Sequence, residues 1–220
     1  MLRPNQAIVS LISLALSATI NLALADGLTV TLLGNERGAP ACITCHGVQG
    51  KGIPVNGFPR LAGLNADYLQ TQLDAFATGL RANAMMTPIA QTLSKDERTA
   101  VANYYAGLRD SVTLPAPVLE KNSPGARLAT QGRWPQGLPA CVQCHGAMGV
   151  GVGTTFPALA GQSSLYIENQ LRAWQQGTRA PGPLGLMKNI ASKLSTTDIH
   201  EVAAYFSALP ASNPSPRRKP

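Results

Sequence analysis

The sequence contains few of the residues that usually build metal sites and large cores. Its 220 residues include four cysteines and three histidines, and aromatic residues make up 5% of the chain. After the first 25 residues, no apolar run is long enough to span a bilayer, so the mature protein is expected to be soluble. With so few aromatic residues and 21 glycines, a small domain of this chain would need a further stabilising group, such as a disulfide, a metal or a bound cofactor.

The amino terminus has the features of a secretory signal peptide. Arg3 precedes an apolar run from Ala7 to Leu24, and Ala23-Leu24-Ala25 is a small-x-small cleavage site. Polar residues dilute this run, so we predict a signal peptide over 1–25, cleavage after Ala25 and export to the periplasm. Retention of the leader as a membrane anchor is the alternative. Export places the cysteines in an oxidising compartment, where disulfides are common.

Charge is distributed unevenly between the two halves. Residues 26–120 contain seven Lys/Arg and eight Asp/Glu, whereas residues 121–220 contain ten and three. This imbalance allows attraction to an acidic partner, or peripheral association of the basic tail with an anionic membrane. For the tail itself we favour a solvated, disordered segment. Nucleic acid is excluded as a partner, because the chain is exported and its basic residues are scattered.

The chain consists of two copies of one pattern. The octapeptide PACITCHG at 40–47 returns as PACVQCHG at 139–146, and residues 58–73 match residues 156–171 at an offset of 98. Two further paired blocks follow in the same order at an offset of 101. Conserved order at a nearly constant offset indicates two tandem domains.

Proline and charged residues mark the boundary between the two copies. We predict an N-terminal domain over 26–114, a linker over 115–124, a C-terminal domain over 125–210 and a disordered basic, proline-rich tail over 211–220. Apolar residues recur at helical spacing over 65–78, 95–108, 163–177 and 196–209. Ser94 and Ser195 are candidate N-caps. Short helices are expected before each octapeptide, and no alternating strand pattern is present, so the predicted fold is all-α.

The two Cys-x-x-Cys-His motifs contain every cysteine and two of the three histidines. A thioredoxin-like centre expects a βαβ context and does not need the histidine. A shared zinc would have to span both repeats and leaves both histidines unexplained, and a disulfide across two residues closes only a tiny loop. Covalent haem attachment accounts for every residue and also supplies the missing apolar core. The predicted thioether residues are Cys42, Cys45, Cys141 and Cys144, and the predicted iron ligands are His46 and His145.

Methionine is the candidate for the opposite face of each iron. Met86 and Met187 occupy matched positions about 40 residues after the two histidines, whereas Met85 aligns with a leucine and Met148 lies too close to His145. The common alternative for any methionine is core packing. A His/Met pair fills all six coordination positions, which favours electron transfer over catalysis. His200 is interpreted as a surface or packing residue.

These residues resemble the cytochrome c4 family of dihaem cytochromes c. The resemblance extends over about 26–209 and includes the Phe-Pro-x-Leu-Ala-Gly blocks at 58–63 and 156–161, Tyr68 with Gln72, and Tyr166 with Gln170. It implies two tandem class I cytochrome c-like domains about a pseudo-twofold axis, each wrapped around one covalently bound haem. It also implies that the carbonyls of Pro59 and Pro157 accept the Nδ1–H of the proximal histidines. The basic tail and the near-neutral first half depart from the family.

The expected function is electron transport without catalysis, using two haem c groups. One hypothesis is a carrier that takes electrons from a quinol-oxidising complex or a dehydrogenase and delivers them to a terminal oxidase. A second is a dedicated electron-transfer subunit of a periplasmic dehydrogenase that acts on an inorganic sulfur compound or an alcohol. A dihaem peroxidase is a third and requires an iron with an open site. A zinc or disulfide module is the non-haem alternative.

Overall fold

The computed structural model describes residues 27–109, 122–180 and 182–211. The predicted signal peptide over 1–25 lies outside the described residues. So do most of the predicted linker over 115–124 and nearly all of the tail over 211–220. The boundaries that we predict for the two domains therefore stay predictions.

The described residues form helices joined by irregular loops, as the sequence predicts. Strands are absent from this part of the chain, which contains only isolated β-bridges. In chain order, the first half contains α1 (27–33), α2 (Ile43–His46), α3 (Ala66–Ala77), α4 (Met86–Thr92) and α5 (Lys95–Gly107). The second half contains α6 (Pro124–Gln131), α7 (Cys141–His145), α8 (Ser164–Gln175), α9 (Leu186–Ser192) and α10 (Thr196–Ala208). The all-α prediction is confirmed.

The last helix of each half begins with a capping box. Ser94 accepts a hydrogen bond from the backbone N–H of Glu97, whose side chain accepts one from the N–H of Ser94. Ser195 and Asp198 make the same reciprocal pair at the start of α10. These bonds satisfy backbone donors that the first helical turn leaves unpaired, and they explain why both helices begin where they do.

Each half has its own apolar core built from equivalent helices. In the first half, α3 packs against α4 and α5, and the core includes Leu69, Val101 and Tyr105. In the second half, α8 packs against α9 and α10, α10 also packs against α6, and the core includes Leu171 and Phe206. The repeat in sequence is therefore a repeat of packed helices.

Glycine allows the first helix of each half to approach the last one closely. A side chain at Gly27 would collide with the backbone of Ala100 in α5, and a side chain at Gly125 would collide with the backbone of Glu201 in α10. The two glycines lie at an offset of 98, so the same close crossing occurs twice. It brings the helix before each octapeptide onto the core.

The two halves are joined by hydrogen bonds between their loops. Gln162 makes two bonds to the backbone of Arg60, and the hydroxyl of Ser163 donates to the carbonyl of Pro54. A β-bridge pairs Arg81 with Arg179. Within the described residues, no helix combines the length and apolar character needed to cross a membrane.

Candidate haem-binding sites

A one-turn helix positions the first Cys-x-x-Cys-His motif. Cys42 is the N-cap of α2 and His46 is its last residue, so that a single turn carries both thiols and the imidazole. Gly47 follows with φ of 75°, a conformation in which glycine is favoured, and this ends the helix. Cys42 and Cys45 are partly exposed whereas His46 is buried. The two cysteines thus lie at the edge of a site that has the imidazole inside it.

The ring of His46 is held by a backbone carbonyl. Its Nδ1 lies 3.0 Å from the carbonyl oxygen of Pro59, a distance at which Nδ1–H donates and Nε2 stays unprotonated. Burial lowers the pKa of His46, although the bond to Pro59 opposes this shift. A neutral imidazole with a fixed tautomer is the form that binds a metal ion through Nε2.

The second motif has the same geometry. Cys141 begins α7, His145 ends it, and Nδ1 of His145 lies 2.8 Å from the carbonyl oxygen of Pro157. Burial again lowers the pKa of His145, against the effect of that bond. The rings of Phe156 and His145 lie nearly perpendicular to each other, with centroids 6.1 Å apart. Two matched sites therefore exist, one in each half.

The placement of the cysteines does not fit a shared zinc site, and the helices around them are not the βαβ context of a thioredoxin-like centre. Burial raises the pKa values of Cys42 and Cys141 to about 11. In the parts of the chain that the structure describes, no group of three or more Cys, His, Asp or Glu side chains converges on a metal position. The two Cys-x-x-Cys pairs lie in separate halves of the chain.

The candidate methionine ligands occupy equivalent helices. Met86 begins α4, is half-buried, and its N–H donates to Oδ1 of Asn83 at 2.8 Å. Met187 lies in α9 and packs against the same core as Cys141. By contrast, Met85 and Met148 are 49% and 54% exposed. Two cysteines, a buried imidazole held by a backbone carbonyl and a candidate methionine in each half are the donor set that haem c requires, and so the residues fit this group.

Sequence reasoning missed three buried polar residues at the junction of the halves. Arg81 and Arg179 are 6% and 9% exposed, and Gln162 is 4% exposed. The two arginines lie at the repeat offset of 98, which was the available signal, but Gln162 aligns with Leu64 and has no counterpart. His200 is a surface residue, as interpreted from the sequence, and its Nδ1 lies 3.0 Å from a carboxylate oxygen of Glu168.

Comparison with known proteins places these sites in a family. Residues 34–108 match the family model described as Cytochrome c. The chain is 47% identical over 175 residues to the "Thiosulfate dehydrogenase electron acceptor" of Thiomonas intermedia, with 79% of this chain and 81% of that protein covered.

Two solved structures resemble the fold. One is reduced cytochrome c4 from Pseudomonas stutzeri, with a TM-score of 0.71, 33% identity and coverage of 85% of this chain and 98% of that chain. The other is thiosulfate dehydrogenase (TsdBA) from Marichromatium purpuratum, with a TM-score of 0.76 and 40% identity. That alignment covers 84% of this chain but only 40% of the dehydrogenase chain.

The helical architecture, the duplicated motifs and these similarities agree. The cofactors that the family carries are covalently bound haem c groups, and its members named here are electron carriers. The chain belongs to the cytochrome c4 family of dihaem class I cytochromes c.

Proposed function

We propose that this chain is the electron acceptor of a periplasmic thiosulfate dehydrogenase. The observation that carries the proposal is the similarity to one part of a thiosulfate dehydrogenase chain, 40% identical over 84% of the present sequence. In that protein the cytochrome c4-like part shares a polypeptide with the remaining 60% of the residues. The Thiomonas intermedia relative, which is named as the electron acceptor of such an enzyme, supports the same partner for a separate chain. Of our two hypotheses for an electron carrier, this favours the dedicated subunit.

The residues of each half have distinct roles in this proposal. Cys42 and Cys45 would attach the first haem, and His46 and Met86 would bind its iron. Cys141, Cys144, His145 and Met187 would have the same roles for the second haem. The carbonyls of Pro59 and Pro157 hold the two imidazoles in place, as the contacts of 3.0 Å and 2.8 Å support. The haems supply reversible one-electron chemistry at iron.

A completed ligand set explains why the protein would relay electrons without transforming a substrate. An iron with six protein and porphyrin ligands has no open position for peroxide or another small molecule. Both histidines are buried, and their bonds to the carbonyls of Pro59 and Pro157 fix the orientation of the imidazole rings. This disfavours the peroxidase alternative.

Two haems match the number of electrons that thiosulfate oxidation provides. Joining two thiosulfate ions through a sulfur–sulfur bond releases two electrons, and two ferric haems accept one each. The signal-like residues 1–25 support a periplasmic location, where such an enzyme meets its inorganic substrate. The electrons would then pass to a terminal oxidase. A quinol-oxidising complex is the competing donor.

Stopped-flow reduction of the oxidised dihaem protein tests the proposal. Catalytic amounts of a thiosulfate dehydrogenase with thiosulfate should reduce both haems, with a rate that saturates as the cytochrome concentration rises. Thiosulfate without the enzyme, and the enzyme without thiosulfate, are the controls. The proposal is wrong if the complete mixture reduces the haems no faster than these controls while a quinol-oxidising complex reduces them rapidly.

A further inference from the structure

Two hydroxyl groups are buried without hydrogen bonds inside the first half of the molecule. Thr31 in α1 is 0% exposed and Tyr105 in α5 is 1% exposed. Among the described residues, neither Oγ1 of Thr31 nor the phenol oxygen of Tyr105 has a hydrogen-bond partner. A buried hydroxyl without a partner destabilises a fold. The pair therefore indicates a partner beyond the described polypeptide.

The hydroxyl of Thr31 behaves differently from those of other helical threonines. Threonine in a helix can donate to the carbonyl four residues before it. Thr71, Thr99 and Thr130 all make this bond, at 2.7 to 3.0 Å. Thr31 does not make it to the carbonyl of Gly27. Its hydroxyl is therefore available to a group outside α1.

The second half of the molecule lacks both hydroxyls. Thr31 aligns with Ala129 at the offset of 98, and Tyr105 aligns with Phe206 at the offset of 101. Ala129 and Phe206 are 0% and 1% exposed, so the equivalent positions are equally buried. The helices of this domain can thus pack without the two hydroxyls, and packing alone does not explain why the first half has them.

The rings of Tyr105 and Phe206 occupy equivalent places. A side chain at Gly50 would bring its Cβ within 2.7 Å of the ring of Tyr105. A side chain at Gly149, which is the repeat equivalent of Gly50, would bring its Cβ within 2.6 Å of the ring of Phe206. The two aromatic residues therefore pack against the same loop in each half and differ by the hydroxyl group.

The hydroxyl pair lies beside Cys42, one of the two predicted attachment residues of the first haem. Cys42 packs against the core that contains Tyr105, and its Sγ lies 3.9 Å from the carbonyl oxygen of Val30, the neighbour of Thr31. Burial raises the pKa of Tyr105 and the nearby thiol of Cys42 raises it further, whereas the hydroxyl of Thr31 lowers it. The phenol is therefore protonated at neutral pH and can donate a hydrogen bond.

Attachment of haem changes the hydrogen-bonding character of the Cys42 sulfur. A free thiol carries a hydrogen, whereas a thioether sulfur carries none and is a weak acceptor. The phenol of Tyr105 is a donor suited to such an acceptor. In the second half, Phe206 has no donor to offer Cys141. The two attachment sites therefore differ in one hydrogen bond although their motifs match.

We propose that the hydroxyl of Tyr105 donates a hydrogen bond to the thioether sulfur of Cys42, that Thr31 orients this hydroxyl by donating to its oxygen, and that the bond raises the reduction potential of the first haem alone. A donor at the sulfur withdraws electron density from the porphyrin, which disfavours ferric iron. The proposal goes beyond the choice of electron donor. The stopped-flow assay above therefore neither supports nor weakens it.

A redox titration of the holoprotein, followed by NMR of haem methyl resonances assigned to each half, tests the proposal. Tyr105→Phe should lower the midpoint potential of the first haem and leave that of the second unchanged. At a fixed potential, the ferrous-to-ferric ratio of the first haem should fall by about fivefold at most, because one neutral hydrogen bond sets the limit. The equivalent position holds Phe206, so the variant is expected to fold.

Tyr104→Phe is the matched control, because it removes the same hydroxyl from the neighbouring, half-buried ring. It should change neither potential. Retention of both haems in each variant would show that the proteins are folded. An unchanged first haem in Tyr105→Phe, or an equal shift of both haems, would overturn the proposal.

Two further measurements separate a bond to sulfur from an effect of packing. Thr31→Val keeps the branched shape of the side chain and should lower the potential of the first haem in the same direction; no shift would refute the orienting role. In resonance Raman spectra, the carbon–sulfur stretching band of the first haem should move in Tyr105→Phe and not in Tyr104→Phe. Identical bands in Tyr105→Phe and wild type would show that the phenol does not bind the sulfur.

Discussion

The buried side chain of Gln162 links the two halves directly through hydrogen bonds. Its Oε1 accepts from the N–H of Arg60 at 2.9 Å, and its Nε2 donates to the carbonyl of the same residue at 3.0 Å. It therefore pairs both polar groups of one buried residue's backbone across the interface. We predict that Gln162→Ala destabilises the docking of the halves without unfolding either core.

The magnitude follows from the two bonds that cross between the halves, since the third bond of this side chain, from the N–H of Ser163 to Oε1, lies within the second half. Each contributes about 1 kcal/mol in net terms, so their loss costs about 2 kcal/mol. The cost approaches about 4 kcal/mol where the peptide groups of Arg60 remain away from water after the change. A loss of about 2 kcal/mol makes local opening at the interface about 30-fold more frequent.

Hydrogen exchange at single amides, measured by NMR on the reduced protein, gives the readout. The amide of Arg60 should lose protection by about 30-fold or more in Gln162→Ala. The amides of Leu61 and Ala62 donate to the carbonyl of Gly50 in their own half and should keep their protection. Gln176→Ala, at the exposed C-cap of α8, is the control variant. Unchanged protection of Arg60, or equal loss at all three amides, would refute this account of the interface.

Two further predictions concern an iron ligand and acid stability. Met86→Ala should abolish the sulfur-to-iron charge-transfer band of one haem and lower its potential, whereas Met85→Ala should change neither; an unchanged spectrum would exclude Met86 as a ligand. Partial burial opposes ionisation of Asp198, but hydrogen bonds from Arg133 and Ser195 lower its pKa below 3.8. Its contribution to stability is therefore present above pH 3.8 and lost as pH falls through the lower, folded-state value. Asp198→Asn should cost about 1 kcal/mol at pH 7 in denaturant unfolding, and the difference from wild type should shrink at low pH.

Features that depend on neighbouring residues were predictable from the sequence. The capping boxes at Ser94 and Ser195 need only residues three positions apart, and the apolar spacing of α3 and α8 repeats every three or four residues. The motif Cys42–His46 likewise occupies one helical turn. Each of these rests on local geometry, so composition and spacing were sufficient.

The burial of Arg81 and Arg179 and the link through Gln162 could not be predicted in this way. Arg81 and Arg179 resemble ordinary surface residues in the sequence, yet docking of the halves buries them against each other. Gln162 breaks the repeat, because its counterpart is Leu64 in the core of the first half. The close approach of Gly27 and Gly125 to the last helix of each half also depends on how the helices cross.

The sequence by itself determined that this chain is a duplicated, helical protein with one covalent haem attachment motif in each copy. That was possible because thiol spacing, helix caps and apolar periodicity are encoded within a few residues of each other. Only the tertiary structure decided how the two copies face one another and which polar groups become buried between them. Such contacts join residues about 100 positions apart. Their hydrogen bonds matter for stability because docking removes these polar groups from water.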